Sequence, residues 1–164
     1  MPGHAYRLTL KSLNEKYAKE RQMEKIPVTL PDGRPVTLSS GGQNTLIKKI
    51  IEEFAPRFTK DGKVLYLGDT GNKTLVLEEE ALGRLGIKIE PRGKIPDVII
   101  HDTKNNWLFL IEAVTSHGPI SGKRIEELQE IFKNAKSGLV YVTAFLDRAT
   151  MGNYLKEISW ETEV

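Results

Sequence analysis

No cysteine occurs among the 164 residues. That excludes a disulfide framework and a thiolate metal site, and it fits a reducing compartment. Net charge is also scarce: the formal value is +2, with an isoelectric point of about 8.7. Charge alone therefore does not mark a nucleic-acid binder. No apolar stretch approaches the length of a membrane span. The opening "MPGHAYRLTLK" lacks the apolar centre of a secretory signal. Internal repeats and low-complexity tracts are absent. The expectation is a soluble cytoplasmic protein with no membrane partner.

Composition is that of an ordinary globular chain, 39% apolar and 28% charged, long enough for one domain with a real core. Residues 4–25 are charged and only weakly periodic. "IPVTLPDGRPVTL" (26–38) alternates around Pro31-Asp32-Gly33-Arg34 and predicts a hairpin. Ser39, Ser40 and the following glycines open a helix whose apolar stripe is Leu46, Ile47, Ile50, Ile51 and Phe54. Pro56 is expected to end it.

"KVLYLGD" (63–69) predicts a strand running into a glycine turn. Residues 77–86 predict a short helix closed by Gly86. Residues 97–101 and 107–114 predict two strands of a hairpin. Ser121 can cap a helix carrying Ile125, Leu128, Ile131 and Phe132 on one face, with Gly138 breaking it. "LVYVTAF" (139–145) suits a strand buried on both faces, and 148–158 a last helix. The order predicts an α/β fold, a mixed central sheet flanked by helices. Residues 1–38 form an N-terminal helix and hairpin extension in this reading, and 39–164 the core.

The segment "PDVIIHDTKNNWLFLIEAV" (96–114) joins two apolar runs across a polar turn, with Asp97 near its start and Glu112 near its end. If the turn is centred between Lys104 and Asn105, Asp97 lies directly opposite Glu112. Cross-strand neighbours have Cβ atoms roughly 4.5–5.5 Å apart. A loop of two or four residues keeps both acids on one face, whereas three residues would turn them apart. Like charges so placed are destabilising in an apolar sheet. Three things can offset this: a solvated rim, protonation of one acid, or a hard divalent cation.

At these residues the chain resembles a known family. A strand opening Pro-Asp, a partner strand carrying Glu, then a helix and a buried strand resemble the PD-(D/E)xK nuclease core. "GDTGNK" (68–73), "PDVIIHDTKNNWLFLIEAVTSHGPIS" (96–121), "KRIEEL" (123–128) and "YVTAF" (141–145) together are similar to the BsuBI/PstI type II restriction endonucleases, from about Ser39 to the end. The resemblance implies a restriction-endonuclease-like core and Mg²⁺-dependent, site-specific hydrolysis of phosphodiester bonds in double-stranded DNA. Asp97, Glu112 and the Ala113 carbonyl would hold Mg²⁺, and Glu52, on the preceding helix, is a further candidate ligand. It also implies a homodimer on a symmetric site and a cognate DNA methyltransferase as partner.

Two departures stand out. The family motif has Lys two residues after the Glu, where this chain has Val114. Lys123 is the candidate to replace it. Arg124 is suited to clamp a phosphate, and His117 to act as a base. The chain also stops at "SWETEV", and relatives carry a larger N-terminal portion. A natural short form and a fragment of a longer enzyme both fit, as does a catalytically inactive module that binds DNA or a protein partner.

"LGDTGNKT" (67–74) suggests a P-loop, but Asn72 rather than Gly precedes Lys73 and the loop is one residue short. Asp69-Thr70-Gly71 matches the aspartic-protease triplet, which needs a second copy to share the proton. A turn acid is the plainer reading of Asp69, and in the nuclease reading it could approach the metal.

Overall fold

The computed structural model describes residues 12–19, 24–69, 74–90, 93–115, 119–160 and 162–164. His117 and residues 70–73 of the glycine turn lie outside them. A helix α1 covers residues 12–19. The predicted hairpin forms from β1 (Ile26–Thr29) and β2 (Pro35–Leu38), pairing Ile26 with Leu38. Gly33 takes φ 88° in its turn, a conformation that glycine adopts freely. The hairpin is not a separate body: Val28, Leu30 and Leu38 join the core beneath it.

Helix α2 (Gly42–Lys49) passes through a widened turn, Ile50–Phe54, into α3 (Ala55–Phe58). Pro56 therefore does not end the helix. The Ala55 N–H reaches back to Ile50 O, so the helix widens just ahead of the proline. That relieves the clash of its ring with the carbonyl one turn back.

A six-stranded sheet follows, in the order β4-β3-β5-β6-β7-β8. Its strands are β3 (Gly62–Gly68), β4 (Thr74–Leu77), β5 (Val98–Asp102), β6 (Trp107–Val114), β7 (Gly138–Phe145) and β8 (Thr162–Glu163). The first four run antiparallel, and β7 and β8 join parallel. The sheet is mixed, as the pattern predicts. Two elements were not foreseen: β4, where the chain begins the turn to a helix, and the two-residue β8.

Helices α4 (Glu79–Arg84), α5 (Gly122–Ile131) and α6 (Arg148–Tyr154) complete the fold. Gly86 follows α4 with φ 79°, in the αL position that closes a helix. Ser121 caps α5 by accepting the Arg124 N–H at 3.3 Å.

Each sheet face has its own core. Ile47 and Ile51 of α2 and the widened turn pack with Val98, Ile100 and Ile111 on one side. Leu82 of α4 and Ile125, Leu128 and Phe132 about α5 pack with Ile99, Leu108 and Leu110 on the other. β5 is covered on both faces, so its apolar run need not alternate. β7 meets that expectation only at its centre, where Tyr141, Val142 and Thr143 are buried. Beyond it on the outer side lies the short β8. No helix among the described residues is long and apolar enough to cross a membrane.

Candidate active site

The turn between β5 and β6 fixes which residues meet. Asp102 pairs with Trp107, leaving the four-residue loop Thr103–Asn106, and Val98 pairs with Ile111. The loop holds because Asp102 accepts the Lys104 N–H at 3.2 Å and the Asn105 side-chain amide at 2.8 Å. Asn106 takes the left-handed φ of 54°, which Asn tolerates better than most residues. The parity is even, so the register extended one step beyond Val98 and Ile111 leads to Asp97 and Glu112, although the pairing itself stops at Val98. Alternation along β6 turns Glu112, with Leu108 and Leu110, towards α5.

Asp97 lies just ahead of β5, half-buried behind the buried Pro96. Its Oδ2 accepts the Ala113 N–H at 2.8 Å. Its Oδ1 accepts the Gln43 side-chain amide at 3.3 Å, bringing in the first turn of α2. Burial pushes its pKa above the ordinary 3.8, and the nearby charge of Glu112 adds to this. The Ala113 N–H, Arg124 and Gln43 oppose the rise.

Glu112 is gripped from α5. The Arg124 Nε–H donates to its Oε1 at 2.6 Å, and Nη2 reaches the same oxygen. The two side chains are only 15% and 17% exposed. The remaining Arg124 nitrogen, Nη1, meets Glu127 at 3.3 Å. Sequence reasoning set Arg124 aside for a phosphate; in the structure its fork lies on carboxylates. Lys123 is exposed at the start of α5.

Glu52 is directed elsewhere. Its Oε1 accepts the Thr29 N–H at 3.1 Å and pairs with Lys48 at 2.9 Å, tying the widened turn to β1. Lys48 is one helical turn away, and this pairing, with the Thr29 bond, draws the carboxylate to the hairpin. Val114 is buried. Among the described residues, no group of three or more Asp, Glu, His or Cys is arranged to hold a metal ion.

Asp69 performs a task the sequence did not reveal. It follows β3, almost fully buried, and brackets the start of α2. Its Oδ2 accepts the Ser39 Oγ–H at 2.6 Å and the Ser39 N–H at 3.3 Å. Its Oδ1 accepts the side-chain amide of buried Asn44, which also donates to Ser39 O at 2.9 Å. Ser39 therefore does not cap α2. The N-cap is Gly41, with no side-chain bond. The bracket sets the helix end from which Gln43 reaches Asp97. Gln43 itself carried no sequence signal, since an uncharged amide on a helix has many bland roles.

A groove of about 650 Å³ opens between α2–α3 and β6–β7, lined by Lys49, Phe54, Arg57, Phe109 and Phe145 among others. It lies on the opposite face of the sheet from Glu112, and neither Asp97 nor Glu112 borders it.

Comparison with known proteins bears on the family and the fold. The model of the BsuBI/PstI restriction endonuclease domain matches residues 26–164. The chain is 52% identical over 153 residues to the type II restriction enzyme BsuBI of Bacillus subtilis, covering 93% of this chain and 48% of that protein. It is 30% identical over 158 residues to the type II restriction enzyme AplI of Arthrospira platensis, covering 92% and 48%. The solved SdaI restriction endonuclease superposes with a TM-score of 0.81 at 43% identity, over 88% of this chain and 46% of that one. The chain thus spans about half the length of the relatives it matches.

Proposed function

The chain belongs to the BsuBI/PstI restriction endonuclease family, and on that premise we propose that it carries the catalytic core of a type II restriction enzyme. The reaction is hydrolysis of phosphodiester bonds at a specific site in double-stranded DNA, with a divalent cation, Mg²⁺, as cofactor. One observation supports this above the others: Asp97 lies where β5 begins and β6 ends, its carboxylate on the Ala113 N–H and within reach of the charge of Glu112.

The donor set suits a hard cation. Two carboxylates and the Ala113 carbonyl are all oxygen ligands, and Mg²⁺ typically takes one or two carboxylates with waters and phosphates. Asp97 is half-buried, and its ionised form is disfavoured by that burial and by the charge of Glu112. When bound, the cation would lower the pKa of a coordinated water and neutralise charge on the scissile phosphate. The protein holds Asp97 by one oxygen on the Ala113 N–H and the other on Gln43. Asp97 and Glu112 are the proposed carboxylate ligands. Glu52, committed to the hairpin, is left out. Lys123 and His117 remain candidates for handling the attacking water, and Arg124 for charge. A homodimer would match a two-fold DNA site, and a methyltransferase of the same specificity would protect the host's own DNA.

A second reading has its own support. Val114 stands where the family motif has Lys, and it is buried. That favours a silent DNA- or partner-binding module. Incubation with plasmid DNA separates the two. Cutting that needs Mg²⁺, stops with EDTA and is lost in Asp97→Ala and Glu112→Gln supports the nuclease. Binding without cutting under any divalent ion supports the module. Normal cutting by a well-folded Glu112→Gln variant removes Glu112 from the ligand set.

A further inference from the structure

One guanidinium, that of Arg124, meets two carboxylates near the end of β6, Glu112 and Glu127, and a third, Asp97, lies within reach of its charge. Arg124 places both Nε and Nη2 on a single oxygen of Glu112, and its charge also reaches Asp97. The contact is not a loose surface pair, because both side chains are largely covered. Its position is set by the backbone: Ser121 caps α5 with the Arg124 N–H, fixing the residue at the third helical position. In this arrangement the positive charge at the pair is already supplied by the protein. A divalent cation arriving at Asp97 and Glu112 meets that charge at close range.

We propose that Arg124 is the resident counter-ion of the Asp97–Glu112 pair, stabilising the two acids together when no metal is bound and competing with a divalent cation for Glu112. The inference rests on the ligand assignment above. Arg124 acts through Glu112 and is a positioning residue. Its planar fork fits phosphate as well as carboxylate, so a DNA phosphate is the group that can draw it away. The site then stays poor in cation until substrate is present.

The test measures Mn²⁺ binding to the full chain without DNA, from the electron paramagnetic resonance signal of the free ion. Arg124→Ala and Arg124→Met are compared with Arg124→Lys. Met keeps most of the stem packing should Ala fail to fold. Loss of a unit charge a few ångströms away should tighten Mn²⁺ binding about tenfold or more in the neutral variants. Arg124→Lys keeps the charge and should stay within about threefold of the parent. Mere structural damage would weaken binding instead. Unchanged or weaker binding in folded Arg124→Met overturns the proposal, provided Asp97→Ala loses Mn²⁺. If Asp97→Ala binds Mn²⁺ as the parent does, the ligand assignment itself falls, and the counter-ion role with it.

Discussion

Replacing Asp69 with Ala removes the acceptor for three donors at the start of α2: the Ser39 N–H, the Ser39 hydroxyl and the Asn44 amide. Asn44 has no exposed surface and Asp69 has 9%, so water cannot readily take over. A buried donor left without its partner costs about 1–3 kcal/mol. Two side-chain donors are affected, and part of the loss is offset because the carboxylate no longer has to be desolvated. A net destabilisation of about 2–4 kcal/mol is expected, against a total of roughly 5–15 kcal/mol for a domain. In urea, followed by far-ultraviolet circular dichroism, the midpoint should fall by about 1–2 M with the slope unchanged. Asp69→Asn should be milder but still destabilising, because its amide presents a donor to donors. Mn²⁺ affinity in the folded fraction should change far less than for Asp97→Ala. An Asp69→Ala variant within about 0.5 kcal/mol of the parent, with Mn²⁺ binding lost, would refute the bracket and make Asp69 part of the ion site.

Other perturbations follow from the same contacts. Asp97 has a folded pKa above its unfolded value, so its ionisation weakens the fold as pH rises from near 3.8 through that raised pKa. Asp97→Asn keeps an acceptor for the Ala113 N–H; it should abolish cutting yet raise the metal-free melting temperature at pH 7, with the gain vanishing in acid. Glu52 behaves oppositely. The Lys48 bond holds its pKa below 4.5, so its contribution is present above that value and is lost as pH falls through the lowered one. Glu52→Gln should cost less than about 1 kcal/mol at pH 7, the difference closing below pH 4.5 in a pH series of melting curves, while metal affinity is untouched. Gly86→Ala would force a side chain into φ 79°, its Cβ about 2.3 Å from Asn134 O. A loss of roughly 2 kcal/mol or more is expected in the same urea assay.

Features that depend on neighbours along the chain could be read from the residues alone. Strand alternation reduced the meeting of Asp97 and Glu112 to a question of loop parity, which the four-residue loop of the structure answers as even, and Gly86 and Ser121 marked the helix ends they occupy. The mixed sheet was legible because each apolar run was long enough to show its period. Partnerships between distant side chains emerged with the folded chain. Gln43 and Asp97 are 54 positions apart, and Ser39 and Asp69 are 30 apart. Glu52 could have turned either way from its helix, and the packing of β1 chose the hairpin. The helix passed Pro56 because widening by one residue relieved the clash, an option no local pattern displays. Arg124 fell on Glu112 because α5 returns across the sheet face at the end of β6. Hydrogen bonds and ion pairs of this kind are set by three-dimensional distance, and a one-dimensional pattern carries no record of it.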